Sequence, residues 1–110
     1  MKLPNVDRAV VDIAKLRDYS LNPTHPEGKH KARVFKAALA FTAHNAEQLR
    51  RMVLDEIQIN EATEQQTTSY GRRFVVDFEV TGLHEIVTVR STWIIRNDED
   101  FPRLTSCYIL

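Results

Sequence analysis

The chain has 110 residues, formal charge zero, 43% apolar and 27% charged side chains, with three glycines and four prolines. That length and composition suit one globular domain able to bury a core without metal or disulfide, and argue against extensive disorder. Zero net charge argues against a protein that coats nucleic acid by bulk electrostatics. The single cysteine, Cys107, excludes an internal disulfide.

Taken in chain order, Leu3-Pro4-Asn5 leads to a short apolar patch, Ala9-Val10-Val11. Asp12 then reads as the N-cap of a short helix carrying Ile13, Leu16 and Tyr19. That helix stops by Asn22-Pro23. The segment Thr24-His25-Pro26-Glu27-Gly28 reads as a loop. A second helix is expected from about Lys29 to Phe41, with Ala32, Phe35, Ala38 and Leu39 on one face. Asn45 is expected to cap a third, with Gln48 three residues on and Leu49, Met52, Val53 and Ile57 at helical spacing. Residues 61 to 69 are rich in Thr and Gln and read as a linker or weak edge strand.

After Gly71 the period becomes two. Phe74, Val76, Phe78 and Val80 share a strand face; Thr81-Gly82-Leu83-His84 makes a hairpin connection; and Glu85 to Arg96 points Val87, Val89, Trp93 and Ile95 one way and Thr88, Arg90 and Thr92 the other. An acidic turn, Asn97 to Asp100, precedes a last strand from Arg103 to Leu110. Residues 1–60 are therefore mainly helical and 70–110 form an antiparallel sheet. The fold class is α+β, with about three N-terminal helices packed on one face of a three- to four-stranded sheet. No apolar run is long enough to span a bilayer and no signal peptide opens the chain. A cytoplasmic protein with no membrane contact is the expectation.

Charge is unevenly placed. Residues 1–54 hold ten Lys and Arg against five acids, and residues 55–110 the reverse. Lys29, Lys31, Arg33 and Lys36 fall within eight positions without an intervening acid. They are able to meet a phosphate backbone or to form a solvated helix face. His25, in the loop, and His30, between Lys29 and Lys31, have the side chain suited to proton transfer near neutrality, and the lysines beside them suit an anionic phosphorane. Arg90 suits bidentate phosphate binding, flanked on its sheet face by Thr88 and Thr92. Arg72, Arg103 and Thr105 stand at strand ends. Signatures of nucleotide loops, zinc sites and redox dithiols are absent, and neither metal nor cofactor is expected.

A resemblance spans nearly the whole chain. Leu3-Pro4-Asn5, Lys15-Leu16-Arg17-Asp18-Tyr19, Leu21-Asn22-Pro23 through His25-Pro26, Gly28 and Lys31-Ala32 to Phe35, then Val89 to Ile95 and Pro102-Arg103-Leu104 resemble a small bacterial domain of unknown function. That domain is similar to the tips of polymorphic and contact-dependent toxins of the barnase, colicin and RelE-like ribonuclease group. Ile13-Ala14 and the tail Cys107-Tyr108-Ile109-Leu110 depart from its pattern. The resemblance implies metal-independent cleavage of RNA by 2′-hydroxyl attack on phosphate. It places His25 or His30, Lys31, Arg90, Thr92 and Thr105 at the chemistry, and the basic and polar residues beside them, Lys29, Arg33, Arg72 and Thr88, are the candidates for binding substrate. It also implies a small cognate antitoxin or immunity protein as partner. The alternative is a non-catalytic protein-binding module, or the neutralising partner of such a locus. The order of elements leaves one structural question: whether the basic start of the second helix reaches the Thr88-Arg90-Thr92 face.

Overall fold

Four antiparallel strands in the order β1-β2-β3-β4 form the C-terminal half of the computed structural model, which describes residues 1–110. They are β1 (Ala62–Glu64), β2 (Gly71–Thr81), β3 (Ile86–Arg96) and β4 (Arg103–Ile109). Alternation, broken once in β4, drives one face inward: Phe74, Val76 and Phe78 from β2, Val89 and Trp93 from β3, and Leu104 and Cys107 from β4 are each at most 4% exposed. Against this face pack α1 (Ile13–Lys15), α2 (Lys29–Leu39) and α3 (Ala46–Ile59). Ala46, Leu49, Val53 and Ile57, at three- and four-residue spacing, form the buried stripe of α3. One cluster of 20 buried residues runs from Leu3 to Ile109 and joins both halves. Full burial of a side chain such as Phe35 contributes about 1.5–3 kcal/mol. The class is α+β, helices first and strands second.

Two buried polar groups are satisfied within this core. Trp93 donates through Nε1 to Ser91 Oγ at 2.9 Å, and Ser91 Oγ donates to the Val76 carbonyl at 2.8 Å. An Ala at 91 would remove the hydroxyl with little change of volume and leave the indole N–H unpaired.

Several elements differ in detail from expectation. Asp12 caps α1, accepting from the Ala14 amide at 3.0 Å, but the helix soon widens into a π-type turn over Leu16–Ser20. Leu16 and Ser20 are thereby both buried. Helix α2 ends at Leu39 because Ala40 adopts a left-handed conformation (φ 58°), from which its amide bonds back to Lys36 and that of Phe41 to Phe35. An alanine in that region costs about 1–2 kcal/mol, so no glycine signals the stop. Ahead of α3, Asn45 gives its oxygen to the Thr42 amide and its amide to Gln48. Thr42 caps an intervening 3-10 turn, Ala43–Asn45, which moves the cap three residues upstream.

The apolar patch at Val10 also makes an unexpected link. Its amide bonds to the Pro102 carbonyl and its carbonyl accepts from Leu104, so it runs parallel beside the start of β4. Along the β3–β4 ladder, the pairing of Thr92 with Ser106 and of Trp93 with Leu104 leaves Thr105 as a bulge.

Candidate functional site at the β4 edge

The sheet's outer face carries Asp77 on β2, Thr88, Arg90 and Thr92 on β3, and Ser106 and Tyr108 on β4, with Arg90 opposite both Asp77 and Tyr108 in register. The bulge turns Thr105 to the same side as Ser106. Thr92 Oγ1 lies 2.6 Å from both the Thr105 and Ser106 hydroxyls, which makes a compact row of three.

The helical half reaches this face around the free edge of β4. Ser20 Oγ donates to the Cys107 carbonyl at 2.9 Å and fastens the π-type turn to the edge. That turn sets Tyr19 beside the outer face. Lys31, on α2, places its ammonium 4.7 Å from the centre of the Tyr19 ring and 5.1 Å from that of Tyr108, with the Tyr19 hydroxyl 3.4 Å away. Two aromatic faces thus hold a half-buried cation that has no acidic partner. The question left by the element order is settled for Lys31: it meets the sheet face.

His25 packs edge-on against Tyr19, with ring centres 4.6 Å apart. Its Nδ1 accepts from the backbone amides of Glu27 and Gly28 at 3.0 and 2.9 Å. Two N–H donors on one ring nitrogen leave the proton of the neutral ring on Nε2. In this arrangement His25 is a hydrogen-bond donor and caps its own loop. Proton abstraction would need a lone pair already engaged. Gly28 makes the loop possible, since a Cβ there would stand 2.1 Å from the Tyr19 carbonyl oxygen.

Between the π-type turn, the His25 loop and β4 lies a cleft of about 580 Å³ lined by Asp12, Ala14, Lys15, Asp18, Tyr19, His25, Thr105 and Ser106, with Lys31 and Tyr108 outside its lining on the far side of Tyr19. Asp18 is forked onto Arg17, which holds its carboxyl below the usual carboxylate range. Asp12 gives one oxygen to the Ala14 amide and has no cationic partner.

The other anticipated residues disperse. Arg90 is closed by a bidentate pair with Asp77 at 2.9 Å through both nitrogens, and this partner holds its proton more firmly than usual. Its charge is neutralised at contact range. Thr88 lies one step along β3, opposite Glu79, and Arg72 is on the inward-facing set of β2, forked onto Glu64. His30 is exposed and joins no cluster. Lys29 and Arg33 lie on the flank of α2 away from Lys31 and, with Lys36, line a separate groove. Arg103 is tied to Glu99 beside the Phe101 ring. No three His, Cys, Asp or Glu side chains come together in a metal-ligating group.

Sequence reasoning passed over Asp12, Lys15, Ser106 and Tyr19 as site residues. The signal for Tyr108 was present: it sits two residues from Ser106, on the same outward parity of β4. Asp77 was also findable, because counting outward from Leu83-His84 along the hairpin sets it against Arg90.

Fold and cleft together define a small α+β domain with a polar, aromatic-walled site where its helical and sheet halves join. Over residues 2–110 the chain matches the model of a domain of unknown function, DUF6883, and it belongs to that family. No curated protein and no solved structure matches it. No helix is long and apolar enough to cross a membrane.

Proposed function

We propose that the chain is a metal-independent ribonuclease of bacterial toxin type, with RNA lying over the β4 edge and the scissile phosphate in the cleft beside Tyr19. The observation that carries this reading is the Lys31 ammonium, without an acidic partner, between Tyr19 and Tyr108, on the same outer face that carries the Thr92-Thr105-Ser106 hydroxyl row. A cation held without an acid stabilises charge as it develops on phosphate. The hydroxyls and His25 Nε2–H supply further donors to the non-bridging oxygens.

In this mechanism the 2′-hydroxyl gives its proton to the Asp12 carboxylate and its oxygen attacks phosphorus. The 5′ oxygen leaves with the Tyr19 phenolic proton, and Lys31 stabilises the resulting phenolate. The products are a 2′,3′-cyclic phosphate and a 5′-hydroxyl. His25 transfers no proton, and Arg90 acts only after release from Asp77.

Incubation of purified protein with total tRNA and mRNA in EDTA tests the proposal. Lys31→Ala and Asp12→Asn abolish cleavage, Arg90→Ala reduces it modestly, and His30→Ala matches the parent. Absence of cleavage by the parent at high concentration, or equal cleavage by all variants, overturns it.

A second reading, a protein-binding module or neutralising partner, is favoured by a different observation. An apolar groove of about 400 Å³ runs between α2 and the end of the sheet, lined by Val34, Ala37, Ala38, Val87, Ile109 and Leu110 with Arg33, His84 and Glu85 at its rim. Harmless overexpression in bacteria, with no RNA cleaved in the assay above, selects that reading.

A further inference from the structure

Helix α2 carries four cations and no acid in eleven residues, and the structure divides them. Lys31 turns toward the tyrosines. Lys29, Arg33 and Lys36, at i, i+4 and i+7, share the opposite flank, as the helical period requires. They line a groove of about 370 Å³ whose other walls are Leu21, Pro23, Ala32, Phe41 and Thr42. No acid lines it. None of the three cations is in an ion pair; Lys15, Lys31, Arg51, Arg73 and Arg96 are unpaired too, and what sets these three apart is that they line one groove.

In a chain of zero net charge, such a concentration is a local choice of sign. Three uncompensated cations around one concavity leave it strongly positive and favour an anion there. The row from Lys29 to Lys36 spans about 10 Å along the helix axis, a length suited to two or three linked phosphoryl groups. The groove's volume is in the lower part of the range typical of small-molecule sites, about 300–1,000 Å³. Its apolar wall, exposed Pro23 backed by the largely buried Phe41, suits a flat ring system, and Thr42 stands beside it. A simple phosphate would leave that wall unused.

We infer that this groove binds a nucleoside polyphosphate, with Lys29, Arg33 and Lys36 on the phosphoryl groups and the base against Pro23 and Phe41. The site is separate from the β4-edge cleft. It would persist if the chain did not cleave RNA, and its loss would leave cleavage intact.

The test is titration of the full chain with a fluorescent ADP analogue, in low salt and again at about 0.3 M. Unlabelled ATP and ADP are expected to displace the probe, tripolyphosphate to displace it about tenfold less well, and adenosine not at all. Raising salt should weaken binding severalfold, because exposed charges are screened over about 10 Å at 0.1 M. Arg33→Glu with Lys36→Glu should weaken it at least tenfold with an unchanged melting curve, while Lys31→Ala leaves it unaltered. Three results overturn the inference: no binding at 1 mM probe (about −4 kcal/mol,), binding indifferent to the Arg33/Lys36 variant, or displacement of the probe by a 12-nucleotide RNA at lower concentration than by ATP. The last would assign the groove to the RNA backbone instead. RNA cleavage measured on the same variant separates this site from the cleft.

Discussion

The two edges of the sheet are built in opposite ways. At the β4 edge, Val10 pairs with the strand's start, Ser20 bonds to its backbone, and Tyr19 and Lys31 wrap onto its outer side. At the other edge, β1 is only three residues long and pairs with Phe74 to Val76 of the eleven-residue β2. It is held by exposed ion pairs, Arg72 with Glu64 and Glu61 with Lys2 and the N-terminal ammonium. The rest of β2 carries Asp77 and Glu79 on its outward face, charges that discourage edge-to-edge pairing. The edge with buried contacts is the edge that holds a cleft. Precise placement of polar groups needs packing behind them, which the short edge lacks.

The contrast is broken most forcefully by Leu16→Ala. Leu16 is fully buried beneath the π-type turn, so truncation should cost about 3–4 kcal/mol in urea unfolding. At the opposite edge, Glu61 is solvent-exposed and Glu61→Gln should leave the urea midpoint nearly unchanged. Equal losses at the two sites would refute the contrast. Gly28→Ala comes next: its Cβ would collide with the Tyr19 carbonyl, and a loss of about 1–3 kcal/mol is expected. The same substitution should also disturb the His25 ring, visible as a shifted imidazole resonance by NMR.

Asp77→Asn sharpens a different point. The Asp77–Arg90 pair is about one-third exposed on each side, so solvent screening leaves its removal only a small shift in the urea midpoint. The released Arg90 should increase RNA affinity on the outer face, and unaltered affinity would show that Arg90 is not aimed at the ligand. Acid is a smaller probe of the short edge. Glu61 and Glu64 are held below their ordinary values by hydrogen bonds from the N-terminal ammonium and from Arg72 respectively. Their contribution is complete above the unfolded carboxylate range and disappears as pH falls through the depressed folded values. Amide exchange in β1 should therefore accelerate on acidification, and less so in 0.5 M salt. The smallest effect belongs to Cys107, whose thiol is pushed up to about 12 by burial under the covered edge. A thiol reagent near neutral pH should leave it unmodified until urea unfolds the chain.

Much of this architecture was legible in the residues. Phe74, Val76 and Phe78 declared a strand, and Leu49, Val53 and Ile57 a helix, because one-sided burial imposes a period. Gly28 and Gly71 stand where the backbone needs them: Gly71, at φ 148°, would carry a Cβ 2.1 Å from the Ile95 carbonyl oxygen. The site was less legible, for a different reason at each residue. A run of four basic residues looks like one patch in sequence, yet helical geometry sends Lys31 one way and Lys29, Arg33 and Lys36 another. His25 looks like a proton carrier until its loop turns two amides onto Nδ1. The π-type turn that presents Tyr19 has no periodic signature over five residues, because it follows from tertiary packing against β4.

The bulge at Thr105 gives this family a simple way to lose a site while keeping a fold. Excising that one residue would restore the alternation in which Leu104 and Cys107 face the core and Ser106 faces out. The strand would straighten, its ladder would become regular, and the hydroxyl row would shrink from three members to two. A relative that lacks this position would then carry the same domain with the cleft flattened, and a single-residue gap in β4 would separate lineages that keep the surface from those that have discarded it.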